Sequence, residues 1–204
     1  MLAFDIGSNV GKWALANSNR FKNIITLEAS PSTYNQLVND CKSPNIRHLN
    51  YAVCNNNGND IDFFQSDANT ISTINEDWLN NEKSRFYKHA NYTKITCKTI
   101  TIDSLIDTYG VPDLIKIDVE GGEYGCVSSL NQKINMLCFE WASEVNDITF
   151  KCLDHLYALG FRDFYLQFED NYVFRPNEYY GIEVLKSKLH NTTPKEEWGM
   201  VWCK

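Results

Sequence analysis

The chain has 204 residues, a net charge of −7, 43% hydrophobic residues and 22% charged residues. That length and balance describe a single domain with a sizeable core and exclude a disordered chain. The acid excess argues against a protein that grips nucleic acid or an anionic membrane surface, and no apolar run reaches the roughly 18 residues of a membrane helix.

Short apolar runs alternate with helical patterns along the chain, which predicts a parallel sheet with crossover helices. Leu2–Ile6 reads as a first, buried strand with no polar lead-in, so the sequence is expected to be a domain of a longer polypeptide. A helix is predicted over Val10–Asn17, a second strand over Asn23–Glu28, and a helix from Ser30-Pro31 to about Cys41. Ile46–Val53 reads as the third strand and Asp60–Gln65 as an added one. Residues 66–93 are polar and irregular, and are expected to cover a substrate. Ile95–Ile102 reads as a strand, and Asp103–Tyr109 as a helix capped by Asp103. Asp113–Asp118 reads as a core strand, Gly122–Leu130 as its helix, and Ile134–Trp141 as the next strand. Thr149–Leu159 is an amphipathic helix, Arg162–Phe168 and Asn171–Arg175 a strand with a hairpin return, Gly181–Leu189 a helix, and Gly199–Cys203 the last strand.

Seven cysteines, an odd number with no C-x-x-C pair, read as reduced and mostly buried thiols of a cytosolic protein. No basic-then-apolar leader opens the sequence. Two N-x-T patterns, at Asn91 and Asn191, then read as coincidental.

Three segments carry chemistry. The first is Phe4-Asp5-Ile6-Gly7-Ser8-Asn9-Val10-Gly11, a strand ending in a glycine turn before a helix. Nicotinamide sites use G-x-G-x-x-G so that a pyrophosphate can sit on the turn. Here the spacing is D-x-G-x-x-x-G, with Asn9 in place of the second glycine and the Asp5 carboxylate beside the turn. That suits a ligand with a cationic amino acid end and no phosphate, as in S-adenosylmethionine (SAM). In the second segment Glu28 closes the second strand, where an acid takes ribose hydroxyls in nucleoside-binding folds.

The third segment, Asp113–Gly122, alternates Lys116, Asp118 and Glu120 with Ile115, Ile117 and Val119. Lys116 needs a carboxylate partner, and it and Glu120 are equally suited to a structural ion pair. Asp118 sits where the strand meets the ligand crevice. Glu140, in Phe139-Glu140-Trp141, reaches the same rim. The two carboxylates could hold a divalent cation, position a hydroxyl or share a proton.

Together these segments resemble the FkbM family of SAM-dependent methyltransferases. The resemblance rests on FDIGSNVG at 4–11, LEASP at 27–31, Asn50–Val53 with the Gly58 turn, TIDSLI at 101–106 and, most specifically, LIKIDVEGGE at 114–123. It covers roughly residues 2–170. It departs from the family in Ser8, where alanine is usual, and in the absence of residues before the first strand that help cover the cofactor. The resemblance implies an α/β class I methyltransferase fold: a mostly parallel seven-stranded sheet with an antiparallel last hairpin and helices on both faces. It implies O-methylation of a sugar, glycan or other hydroxyl. By position, Asp5, Gly7, Ser8, Asn9 and Gly11 would cradle the amino acid end of SAM, Glu28 the ribose, Ala29 and Ser30 the adenosine, and Asn50 and Ala52 the adenine. Asp118 would flank the methyl donor. The candidate bases are Asp118, Glu140 and His89 of the covering segment. The competing expectations are a non-catalytic SAM-binding module and a non-sugar acceptor. A neighbouring glycosyltransferase domain in a parent chain is a further expectation.

Overall fold

The computed structural model describes residues 1–88 and 91–204. The chain runs β1 (Leu2–Ile6), α1 (Lys12–Asn17), β2 (Asn23–Leu27), α2 (Pro31–Asp40), β3 (Ile46–Leu49), β4 (Ala52–Val53), β5 (Asp60–Ser66) and α3 (Glu76–Asn80). It continues through β6 (Tyr92–Ile100), α4 (Ile102–Tyr109), β7 (Leu114–Ile117), α5 (Glu123–Val127), β8 (Leu137–Ala142), α6 (Asn146–Ala158), β9 (Phe164–Phe168), α7 (Ile182–His190) and β10 (Trp198–Cys203).

Seven strands form one sheet in the order β3-β2-β1-β7-β8-β10-β9. The pairs from β3 to β8 are parallel, and β10 is antiparallel to both β8 and β9. The chain builds outward from β1 to β3 and then returns to the other side of β1 with β7. The carboxyl ends of β1 and β7 are therefore a topological switch point, where open α/β sheets bind ligands.

Alternation along the strands divides the core. Phe4, Ile6, Ile115, Ile117 and Phe139 face α4, α5, α6 and α7. Ala3, Leu114, Cys138, Met200 and Trp202 face α1 and α2, where Trp13, Ala14 and Leu37 pack on them. Complete burial of one such large side chain is worth about 1.5–3 kcal/mol. Asp5, Lys116, Asp118 and Glu140 follow the α1–α2 parity, so the charges of three strands collect on one side of the switch point.

Several expected boundaries move for local reasons. The predicted third strand is broken at Asn50, whose side chain donates to the Glu28 and Ala29 carbonyls at 2.8 and 3.1 Å. Ala52 and Val53 then pair with Thr99 and Ile100 in a separate sheet of order β4-β6-β5. Thr101, not Asp103, caps α4 by accepting from the Ser104 amide at 3.1 Å. Asp103 instead ties down Asn131 through its backbone and side-chain nitrogens. The predicted helix at 10–17 starts at Lys12, and the one at 122–130 is shortened to α5.

Residues 171–175 form a turn rather than a hairpin strand. Asn171 accepts from the Val173 amide through its side chain and from the Phe174 amide through its carbonyl. The antiparallel partner of β9 is β10 instead, with α7 between them in the chain. All seven cysteines are free and buried. Among the described residues no helix is long and apolar enough to cross a membrane.

Candidate active site

A cavity of about 330 Å³ opens at the switch point. This is the lower end of the usual size for small-molecule sites, about 300–1,000 Å³. Its lining includes Gly7, Ser8 and Asn9 from the loop after β1, Glu28 and Ala29 after β2, and Tyr51 and Ala52 before and on β4. Asn69, Thr70, Ser72 and Ile74 come from the segment between β5 and β6, within the stretch expected to form a cover. The far wall is Lys116, Asp118, Val119, Glu120, Glu140, Asp170, Tyr172 and Trp198.

The first three amides of the loop after β1 are already used. Gly7 and Ser8 donate to the Leu27 carbonyl at 2.9 and 3.0 Å, and Asn9 donates to Glu28 Oε2 at 2.9 Å. A phosphate-binding turn needs such amides free. Here they tie β1 to β2. Asn9 Oδ1, by contrast, has no hydrogen-bond partner among the described residues.

The two loop glycines answer to packing. Gly7 has φ +74°, and a Cβ there would sit 1.7 Å from the Asp118 carbonyl oxygen. Gly11 has φ +83°, and a Cβ would meet Cys41 Cβ at 2.5 Å. Gly7 thus lets the loop cross the end of β7, and Gly11 seats the start of α1 on the end of α2.

Glu28 is 8% exposed and takes the amides of both Asn9 and Ser30 at 2.9 Å. Burial raises its pKa to about 7, against those two hydrogen bonds. Ser30 lies behind it as the cap of α2, accepting from Thr33 and donating to Gln65 Oε1. Asp5, Gly11, Ser30 and Asn50 are therefore supports of the cavity wall rather than lining. Gly7, Ser8, Asn9, Glu28, Ala29, Ala52, Asp118 and Glu140 line it. His89 lies outside the described residues.

Lys116 holds the acidic end together. Asp5 and Lys116 are register partners on β1 and β7. The ammonium lies 2.8 Å from Asp118 Oδ2, 3.7 Å from Asp5 Oδ1 and 3.4 Å from the Gly7 carbonyl. Its partner is thus Asp118 with Asp5, and Glu120 is left for other work. Burial works against the charge on Lys116, but Asp118 and Asp5 outweigh it and hold its pKa above the ordinary lysine value. Burial also raises Asp5 to about 6, with the Lys116 charge opposing.

Asp118, Glu120 and Glu140 each offer a carboxylate oxygen within 4.8 Å of the others. Burial, then the charges of Glu120 and Asp118, hold Glu140 well above the ordinary carboxylate range. Asp170, Tyr172 and Trp198 were not singled out from the sequence. They lie beyond the specific motifs, and only the antiparallel end of the sheet brings them to the cavity.

The raised carboxyls fix a pH dependence of stability. Asp5 rises to about 6, and burial takes Glu28 and Glu123 to about 7, from ordinary values of 3.8 and 4.5. Between those limits the folded chain holds more protons than the unfolded one, so stability falls as pH rises through that window. The ligand-free protein should melt at a higher temperature at pH 5 than at pH 7.5, and Glu123→Gln should flatten the slope. A melting temperature that climbs from pH 5 to 7.5 would contradict this.

The methyltransferase FkbM domain matches residues 5–175, most of the chain and both ends of this cavity. The chain belongs to the FkbM methyltransferase family. No curated protein matches it. The whole FkbM chain overlays 81% of a precorrin 8W decarboxylase from Methanobacterium thermoautotrophicum, at 8% identity and a TM-score of 0.49. It also overlays 79% of a TehB-like SAM-dependent methyltransferase from Corynebacterium glutamicum, at 9% identity and a TM-score of 0.46. For the plantazolicin methyltransferase BpumL, solved with SAH, the figures are 76%, 8% and 0.39, again over the whole of this chain. All three scores fall below 0.5, so the family rests on the FkbM match. The sheet, mostly parallel with β10 antiparallel between β8 and β9, is the class I methyltransferase architecture expected from the resemblance.

Proposed function

We propose that this FkbM domain is a SAM-dependent O-methyltransferase whose acceptor is a hydroxyl of a sugar or glycan. One observation carries the reading: a single cavity has Glu28 at one end and the trio Asp118, Glu120 and Glu140 at the other. When bound, SAM supplies a sulfonium methyl electrophilic enough for direct in-line displacement. What remains for the protein is to orient the acceptor oxygen and take its proton.

Glu28 would take the ribose hydroxyls, and the loop residues Gly7, Ser8 and Asn9 would lie against the amino acid end. Tyr51, Ala52, Val53, Phe63 and Ile74 give the same end an apolar lining suited to adenine. The spent amides of the β1 loop favour a ligand without phosphate. Lys116 holds Asp118 at 2.8 Å beside the end of β7, the position proposed for the methionine end. Acidic side chains beside Tyr172 and Trp198 suit carbohydrate hydrogen bonding and stacking. A divalent cation on the trio would share Asp118 with the Lys116 ammonium at 2.8 Å, so we read the site as one of proton sharing between Glu120 and Glu140 rather than of metal binding. Reduced, buried cysteines suit a cytosolic location.

The test is a mass-spectrometric screen for a methyl group transferred from SAM to sugars and glycans, with SAH formed in equal amount. Asp118→Ala and Glu140→Ala should each lower turnover by about 10²-fold or more. Full turnover and normal SAM affinity in both variants would remove this assignment of roles.

A further inference from the structure

We propose that Glu120 is the base that removes the acceptor's proton, that Glu140 shares this proton, and that the Trp78 indole positions Glu120. The proposal rests on the O-methyltransfer reading above and names its central residue. Asp118 is engaged by Lys116 at 2.8 Å, which fits it for orientation rather than proton removal. Glu120 is held differently. Its backbone is left-handed, with φ +55°, in a loop that lines the cavity. Thr73 Oγ1 donates to its carbonyl at 2.6 Å, and Asn75 Nδ2 donates to the next carbonyl, of Gly121, at 3.2 Å.

The side chain is gripped as well. Trp78 is 3% exposed, and its Nε1–H donates to Glu120 Oε2 at 3.2 Å. Gly121 allows this approach, since a Cβ there would lie only 3.2 Å from the indole ring. One carboxylate oxygen is thus fixed by the indole while the group borders the cavity. Thr73, Asn75 and Trp78 all belong to the segment between β5 and β6, so the strand-to-strand cover and the base are one assembly.

In the reaction the acceptor O–H proton passes to the Glu120 carboxylate. The oxygen's electron pair forms the bond to the methyl carbon as the carbon–sulfur bond breaks, and that bond's electrons stay on sulfur, leaving neutral SAH. The proton is shared with Glu140 and then lost to solvent. The groups facing Glu120 are Lys116 and Asp118 on and after β7, Glu140 on β8, Glu123 on α5 and Trp78 on α3. Burial first, then the charges of Asp118 and Glu123, hold Glu120 well above the ordinary carboxylate range, while Trp78 and Lys116 oppose. A carboxylate raised above its ordinary pKa is a stronger base toward a hydroxyl proton.

Glu120→Gln should lower kcat by about 10²–10⁴-fold with SAM affinity kept, and should abolish the acid limb of the pH–rate profile. Trp78→Phe should keep most of kcat but move that limb to higher pH, because the lost donor favoured the ionised carboxylate. A readout without acceptor is the Trp78 indole ¹⁵N–¹H signal, which should shift between pH 5 and 9 in the wild type and stay still in Glu120→Gln. Unchanged kcat and acid limb in Glu120→Gln, or an indole signal that ignores pH in the wild type, would overturn the proposal. If the wild type methylates no member of the acceptor panel, the O-methyl reading fails, and the indole titration still decides whether Glu120 titrates as a base.

Discussion

Replacing Lys116 by methionine should destabilise the protein by about 3–5 kcal/mol, because it strands buried carboxylates without their cation. Lys116 is 5% exposed at its side chain and Asp5 is fully buried, 3.7 Å away. In the variant Asp5 keeps its position opposite residue 116 on β7, but nothing offsets its charge. For a chain of this size the loss corresponds to a melting temperature lower by roughly 6–20 °C. The deficit should shrink at acid pH. Burial already lifts Asp5 to about 6 with Lys116 present, and removing that cation lifts it further, so a neutral carboxyl relieves the strain. Adding Asp5→Asn and Asp118→Asn to the methionine variant should return most of the stability. Urea unfolding at pH 5 and pH 8 measures all of this, and an unchanged midpoint in the single variant would show that Lys116 carries no such burden.

Glu28→Gln should weaken SAM binding by about 100-fold. The carboxylate accepts the Asn9 and Ser30 amides at 2.9 Å each, and it lines the cavity where a ribose is proposed. Glutamine keeps the size but offers one acceptor oxygen, so one amide loses its partner. Hydrogen bonds to a charged group are worth about 1.5–3 kcal/mol each, which sets the scale. The loop-anchoring and ribose roles separate with adenosine and its 2′- and 3′-deoxy analogues. The wild type should lose affinity for the deoxy forms, whereas the glutamine variant should bind all three alike. Equal losses for every analogue in both proteins would leave Glu28 as a loop anchor alone.

Much of this site is legible in the sequence because its first half is local. The strand Leu2–Ile6, the glycine turn and Glu28 lie within one β-α-β unit, and period-2 parity puts Asp5, Lys116, Asp118 and Glu140 on one face. The parallel part of the sheet was legible in the alternation of apolar runs with helical patterns, whereas its antiparallel end was expected only from the family resemblance. Where side chains capture nearby backbone groups, the pattern misleads. Asn50 ends the third strand by binding the Glu28 and Ala29 carbonyls, and Asn171 folds its segment into a turn. Gly7 and Gly11 signal the loop correctly, yet their reason is the close approach of Asp118 and Cys41. Asp170, Tyr172 and Trp198 reach the cavity only through the antiparallel pairing of β9 and β10, and the Trp78–Glu120 contact spans 42 residues. No periodicity records such meetings.

The cleft between the β1 loop, Glu28 and Asp118 is proposed to take SAM and not a dinucleotide. Titration calorimetry of the wild-type protein with SAM and, separately, with NAD tests it most directly. The structure predicts one SAM per chain and no heat of binding with NAD, since the Gly7, Ser8 and Asn9 amides of the turn are spent on Leu27 and Glu28 and the second glycine of a pyrophosphate turn is replaced by Asn9. Saturable NAD binding with none for SAM would contradict the account.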